Sequence, residues 1–181
     1  MKIIHLISGG DVGGAKTHVL SLLEGLGRTQ TVRLVCFTAG AFADDAMAMG
    51  IDTLVLDGGV RSSIRALERM IQEERFDIVH CHGSRANMIG AILKRTINVP
   101  IVTTVHSDYR LDYLGRPFHR LTYGTINTIS LRMFDYHIGV SDAMVQLLIS
   151  RGFNPQKLFS IYNGVAFPPE KPSLSRGEYL E

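Results

Sequence analysis

Four glycines within a short stretch near the N-terminus are the first feature of this sequence that could do chemistry. Gly9, Gly10, Gly13 and Gly14 follow a mostly apolar run, Lys2 to Ile7, and precede a segment with apolar residues at helical spacing. A loop without side chains exposes its backbone N–H groups, and the first turn of the next helix adds unpaired N–H groups of its own. The stretch therefore predicts a site for a phosphate or another anion.

Two nucleotide-binding motifs can be compared with this glycine loop. A dinucleotide fingerprint needs G-x-G-x-x-G and an acid after the second strand; neither of the first two glycines begins one, and residues 35–38 contain no acid. Residues 10–17 match a P-loop, G-x-x-x-x-G-K-[ST], except that Ala15 stands where the motif requires glycine. A degenerate P-loop and a plain tight turn before the helix both remain alternatives.

Polar residues come directly after several predicted strands. His82, His106, Ser141 and Asn163 each follow an apolar run, and the carboxyl ends of parallel strands form the ligand-binding edge of an open sheet. Simpler roles exist, because His82 or Ser141 could cap the next helix. Of the pair His80 and His82, we expect His80 to face the interior. His106 is the hardest to explain by packing alone, because a run of β-branched residues leads up to it and a polar loop follows; we expect its ring to face solvent in the crevice.

The elements that would position these residues alternate along the chain. Strands are predicted at 2–7, 31–38, 51–56, 76–81, 101–105, 136–140 and 158–162, and helices after the glycine loop and at 42–49, from 62, at 85–97, 117–133 and 142–150. We expect the helix at 42–49 to carry Ala and Met on its inner side. This order predicts an α/β fold, a Rossmann-like doubly wound parallel sheet of about seven strands with helices on both faces. We expect one domain over residues 1–166 and the start of a linker at 167–181.

The composition excludes several classes of protein. Of 181 residues, 45% are hydrophobic and 20% charged, and the net charge of +2 with no Lys/Arg run argues against a nucleic-acid partner. Cys36 and Cys81 fall in strand patterns and are expected to be reduced core thiols, which indicates the cytoplasm. The sequence shows neither a signal peptide nor an apolar run of about 18 residues that could span a membrane.

Five short segments together resemble the N-terminal domains of GT-B retaining glycosyltransferases of family 4. They are GGAKTHVLSLL (13–23), DIVHCHG (77–83), VTTVH (102–106), IGVSD (138–142) and IYNGV (161–165). The resemblance implies a two-domain enzyme that transfers a sugar from a nucleotide-diphosphate donor to an acceptor hydroxyl with retention, without a metal or other cofactor. This chain would be the acceptor-side half and inactive alone, and the half that binds most of the nucleotide sugar would be absent.

The resemblance also implies roles for individual residues. His106 would act at the donor sugar and is the candidate catalytic residue. The donor-binding candidates are Gly13, Gly14, Lys16, Ser141, Asn163 and Gly164. The acceptor-binding candidates are Asp11, His82, Asp108, Tyr109 and Arg110. For Lys16, an ordinary solvated lysine at a helix start is the alternative.

The loop at 107–120 interleaves tyrosines with arginines. Such a loop suits a lipid-linked or anionic acceptor at a membrane surface, although an ordinary solvated loop has the same composition. We expect a carbohydrate or lipid-linked acceptor, with peripheral contact at the inner face of the membrane. A stand-alone binding or regulatory domain of the same fold is a competing interpretation, because fold does not imply function. A second βα array of about 180 residues downstream in the gene would favour the enzyme.

Overall fold

A computed structural model describes residues 1–10, 14–108 and 124–164, and at residues 14 and 15 it describes the backbone alone. Its elements in chain order are β1 (Lys2–Ile7), α1 (Gly14–Gly27), β2 (Thr31–Cys36), α2 (Ala41–Ala48), β3 (Thr53–Val55), α3 (Val60–Glu73), β4 (Ile78–His82), α4 (Gly83–Leu93), β5 (Ile101–Val105), α5 (Thr125–Met133), β6 (Tyr136–Gly139), α6 (Asp142–Ser150) and β7 (Leu158–Ser160). The predicted linker, 167–181, lies outside the described residues.

The described strands form one parallel sheet in the order β3-β2-β1-β4-β5-β6-β7. This confirms the predicted α/β fold with seven strands. The chain builds the sheet outward from β1 in one direction and then outward from β4 in the other, so the strand order reverses between β1 and β4. At such a switch point the loops leave the sheet on opposite faces and open a crevice at the carboxyl edge. Ile7 pairs with His82 across it.

Both faces of the sheet are covered. Ile4 of β1 packs in a cluster with Leu67 of α3 and Ile89 of α4, while Ile7 packs with Leu23 of α1 in a cluster that also includes α2. Successive strand residues point to opposite faces, which explains why neighbours in β1 belong to different clusters. A third cluster joins β5 and β7 to α5 and α6; its buried members are Val105, Leu131, Leu148, Phe153 and Leu158.

Two helices differ in detail from the prediction. The inner side of α2 was expected to carry Ala and Met, but Phe42 is buried with two alanines, whereas Met47 is 48% exposed. Helix α3 begins at Val60 rather than at the serines that follow it. The Ser63 hydroxyl instead donates to the carbonyl of Gly59 from inside the first turn.

Gly9 closes the turn that follows β1. Its φ is +90°, and a Cβ there would lie 2.5 Å from the carbonyl oxygen of Thr38. We expect Gly9→Ala to lower the free energy of unfolding by roughly 2 to 4 kcal/mol, because it combines a strained backbone with a clash against main-chain atoms. Urea denaturation measures this. Gly10→Ala is the matched control, because no atom of the described residues lies within 4 Å of its Cβ position; equal losses in the two variants would contradict the prediction.

Candidate active-site edge

Three histidines share one face of the two central strands. His5, His80 and His82 are 0%, 7% and 2% exposed, and their ring centroids lie 4.3 to 5.4 Å apart. His5 Nδ1 and His82 Nε2 are 3.1 Å apart, and His80 Nε2 lies 2.8 Å from the hydroxyl of Thr104.

The prediction that only His80 faces the interior was wrong. Residues i and i+2 of a strand point to the same face, so His80 and His82 turn inward together. His82 is the last residue of β4, so it lies at the carboxyl edge of the sheet as predicted. Its ring, however, packs against the ring of His5 instead of opening to solvent.

Burial keeps these imidazoles neutral. Desolvation lowers the pKa of His5 to about 3 and holds the pKa values of His80 and His82 well below 6.5. One ring nitrogen of each residue lies within 4.8 Å of the others, so among the described residues they could hold a metal ion. In this structure the three rings pack against one another, His5 pairs with His82, and His80 pairs with the Thr104 hydroxyl. We therefore assign this cluster a packing role.

His106 is half-buried at the carboxyl end of β5, where a solvent-facing ring had been expected. The ring of His18 in α1 packs against the ring of His106 edge to face, with the two centroids 5.0 Å apart. The centroid of the His82 ring lies 6.1 Å from that of His106. Desolvation, with a smaller contribution from His18, lowers the pKa of His106 to about 4. Its Nε2 is buried and has no hydrogen-bond partner among the described residues. His106 thus offers a neutral imidazole nitrogen that a ligand's hydroxyl or phosphate oxygen could engage.

Two of the residues predicted to bind the donor are held by structural contacts. Lys16 forms an ion pair with Asp45 of α2 and donates to the carbonyl of Ala41 at 3.3 Å. Ser141 caps α6, and its hydroxyl accepts a hydrogen bond from the Met144 N–H at 3.2 Å. The simple capping role considered for Ser141 is therefore present, and Lys16 is not merely solvated.

Residues after β7 lie beside α1. Asn163 is exposed, and Gly164 lines a groove together with His18 and Leu22 of α1. Tyr162 anchors this segment through a 2.9 Å hydrogen bond from its hydroxyl to Asp142. Gly164 is thus brought into the same groove as the histidine that packs against His106.

Most of the predicted acceptor site lies outside the described residues. The acceptor-binding candidates outside them are Asp11, Tyr109 and Arg110. Of the donor-binding candidates, Gly13 also lies outside, whereas Gly14 is the first residue of α1. Asp108 is described, and its carboxylate forms an ion pair with the guanidinium of Arg151, which follows α6, at an N···O distance of 2.5 Å.

Sequence reasoning missed Arg85. It lies in the first turn of α4, at the switch point between β1 and β4. Its guanidinium donates to the Thr38 hydroxyl at 2.9 Å and lies 5.7 Å from the centroid of the Phe37 ring. The available signal was a cation in the first turn of a helix, where acids are favoured.

A comparison of the sequence with protein families matches Glycosyltransferase Family 4 over residues 12–167. The chain belongs to glycosyltransferase family 4. This membership confirms the resemblance inferred from the five motifs, and it favours the glycosyltransferase interpretation of the glycine loop over the degenerate P-loop.

Relatives of this family 4 chain are longer proteins. It is 25% identical over 159 residues to the UDP-Gal:alpha-D-GlcNAc-diphosphoundecaprenol alpha-1,3-galactosyltransferase of Escherichia coli, covering 83% of this chain and 41% of the relative. The structure of Anabaena HepE in complex with UDP-glucose has a TM-score of 0.73 at 20% identity, over 91% of this chain and 44% of that one. This chain therefore spans less than half the length of both.

The same fold also occurs outside glycosyl transfer. A structure described as a putative UDP-N-acetylglucosamine 2-epimerase from Listeria monocytogenes has a TM-score of 0.63 at 17% identity, over 87% of this chain and 43% of that one. At such identities the structural similarity shows the fold alone. Among the helices of the described residues, none is long and apolar enough to cross a membrane.

Proposed function

We propose that the protein carrying this chain transfers a sugar from a nucleotide-diphosphate donor to an acceptor hydroxyl with retention of anomeric configuration. The observation that carries the proposal is the family 4 match over residues 12–167. The chain is proposed to form the acceptor-side half, with the nucleotide bound mainly by a second half.

The geometry suggests where the reacting groups meet. The crevice between β1 and β4 opens beside the Gly9 turn, and His106, at the end of the neighbouring strand β5, has an Nε2 without a hydrogen-bond partner among the described residues. A neutral imidazole there can hydrogen-bond a sugar hydroxyl or a phosphate oxygen. Backbone N–H groups at helix N-termini would help to stabilise the leaving diphosphate, so we propose that the transfer needs no metal ion.

The substrates are proposed from the relatives. The Anabaena structure was solved with UDP-glucose, and the name of the E. coli relative specifies UDP-Gal and a diphosphoundecaprenol-linked acceptor. We propose a nucleotide sugar as donor, a carbohydrate or lipid-linked sugar as acceptor, and a cytoplasmic site of action at the inner face of the membrane.

The isolated chain 1–181 is expected to fold but to transfer no sugar, because most of the donor site is absent. Calorimetry should show only weak binding of UDP by this chain, well short of micromolar affinity, and transfer from labelled UDP-sugars should be detectable only with the full-length protein. Appreciable transfer by the isolated chain would contradict the two-domain proposal. A submicromolar, magnesium-dependent affinity for ATP would instead support the P-loop.

A further inference from the structure

Arg85 is held in a fixed position at the crevice. It lies three residues after the carboxyl end of β4. Its guanidinium donates a hydrogen bond to the Thr38 hydroxyl and lies over the face of the Phe37 ring. Gly9 packs against the carbonyl of the same Thr38. The guanidinium is therefore placed next to the glycine turn, at the switch point where ligands bind in open parallel sheets.

The charge of Arg85 is not compensated within the described part of the chain. Lys16, near the start of α1, is neutralised by Asp45, whereas among the described residues Arg85 donates to the neutral Thr38 hydroxyl and forms no ion pair. The ion pairs among the described residues use Lys2, Lys16, Arg28, Arg33, Lys94 and Arg151 as cations. The first turn of α4 contains no acid, so the guanidinium remains available to an anion.

A cation in this position also works against the stability of its own helix. The N-terminal end of a helix carries partial positive charge, and a cation in the first turn is repelled by it. An anionic ligand would remove that repulsion and would meet a donor fork whose planar geometry matches phosphate oxygens.

We propose that Arg85 binds the diphosphate that links the acceptor sugar to a lipid, which makes the acceptor of this protein a lipid-diphosphate-linked sugar. The inference rests on the proposed function, in which this half of the protein carries the acceptor. It agrees with the name of the E. coli relative, whose acceptor sugar is attached to diphosphoundecaprenol. Arg85 is a binding residue in this proposal and takes no part in the chemical step.

The test uses full-length protein and phosphatidylcholine vesicles that contain undecaprenyl diphosphate. Wild-type protein should bind them more tightly than vesicles with phosphatidic acid at equal charge, because a diphosphate end group is recognised rather than charge alone. Arg85→Ala should weaken binding roughly 10- to 100-fold, as for loss of a charge-assisted hydrogen bond. Arg85→Lys keeps the positive charge but lacks the planar donor fork, so its vesicle affinity should lie between those of the wild type and Arg85→Ala. Arg95→Ala, which removes an exposed arginine beyond the other end of α4, should bind as the wild type does.

A second measurement separates the acceptor from the donor. The affinity of the same proteins for UDP, measured by calorimetry, should not change on Arg85→Ala. Weaker UDP binding by this variant would assign the arginine to the donor and overturn the proposal, as would unchanged vesicle binding or equal binding of phosphatidic acid. Failure of the wild type to turn over UDP-sugars would count against the proposed function, while the vesicle experiment would still decide the role of Arg85.

Discussion

Replacing His106 with alanine in the full-length protein is expected to reduce turnover by on the order of 10²-fold or more, the usual effect of losing a preorganised hydrogen-bonding group at the reacting centre. The ring is fixed by His18, and its buried Nε2 has no partner among the described residues. Because the pKa of His106 is lowered to about 4, the ring acts in its neutral form. Between pH 6 and 8, the turnover of the wild type should therefore show no step due to His106.

Thermal melting of each preparation separates catalysis from folding. His106→Ala should melt within a few degrees of the wild type, because the ring is only half-buried and its Nε2 makes no hydrogen bond within the described part of the chain. His137→Gln is the matched control: His137 is buried, with Nε2 2.6 Å from the Leu131 carbonyl, so this variant should lose melting temperature but keep its turnover at low temperature. A parallel loss of melting temperature and activity in His106→Ala would show that His106 is structural.

Mild acid is expected to destabilise the fold strongly. The folded-state pKa values of His5, His80 and His82 lie far below 6.5, so the unfolded chain binds more protons below that pH. The stability that comes from keeping these rings neutral is complete above about pH 6.5 and is lost as the pH falls below it. Each histidine accounts for about 1.4 kcal/mol per pH unit, so three together predict a loss of about 4 kcal/mol between pH 7 and pH 5.5.

Urea denaturation at intervals between pH 5 and 7.5 tests this directly. His5→Gln should lower the slope by about 1.4 kcal/mol per pH unit, because one titrating imidazole is gone. The contribution of Glu74 lies outside this window, because the hydrogen bond from Lys2 lowers its pKa below 4.5 and the contribution is lost only at lower pH. A slope that does not change in His5→Gln would show that the buried imidazoles do not set the acid sensitivity.

The strand and helix pattern was predictable because each element is short and locally consistent. The strand Ile101–Val105 and the helix Asp142–Ser150, with Ser141 as its cap, have the predicted bounds. The bounds of α2 and α3 differ from the prediction by one or two residues, and the inner faces of both helices depend on packing against the sheet. Phe42 was buried there in place of a methionine.

The candidate site was only partly predictable, because its decisive contacts join residues far apart in the chain. Strand-end placement located His106 at the right edge, but not the packing of His18 that half-buries it. No local pattern links Arg85 to Thr38, 47 residues earlier, or Lys16 to Asp45. The inward orientation of His82, in contrast, followed from strand alternation and could have been inferred from sequence.

The strand order has a consequence for the growing polypeptide on the ribosome. β1 is made first, yet it lies in the middle of the sheet and pairs with β4, whose residues come about 75 positions later: Ile3 is opposite Ile78. At synthesis rates of 5–20 residues per second, β1 waits roughly 4 to 15 s for this neighbour. During that interval Ile4 and Leu6, which are fully buried in the finished sheet, lack one flanking strand. The nascent chain therefore exposes an apolar strand edge until β4 emerges, and we expect this interval to be the period when it most needs a chaperone.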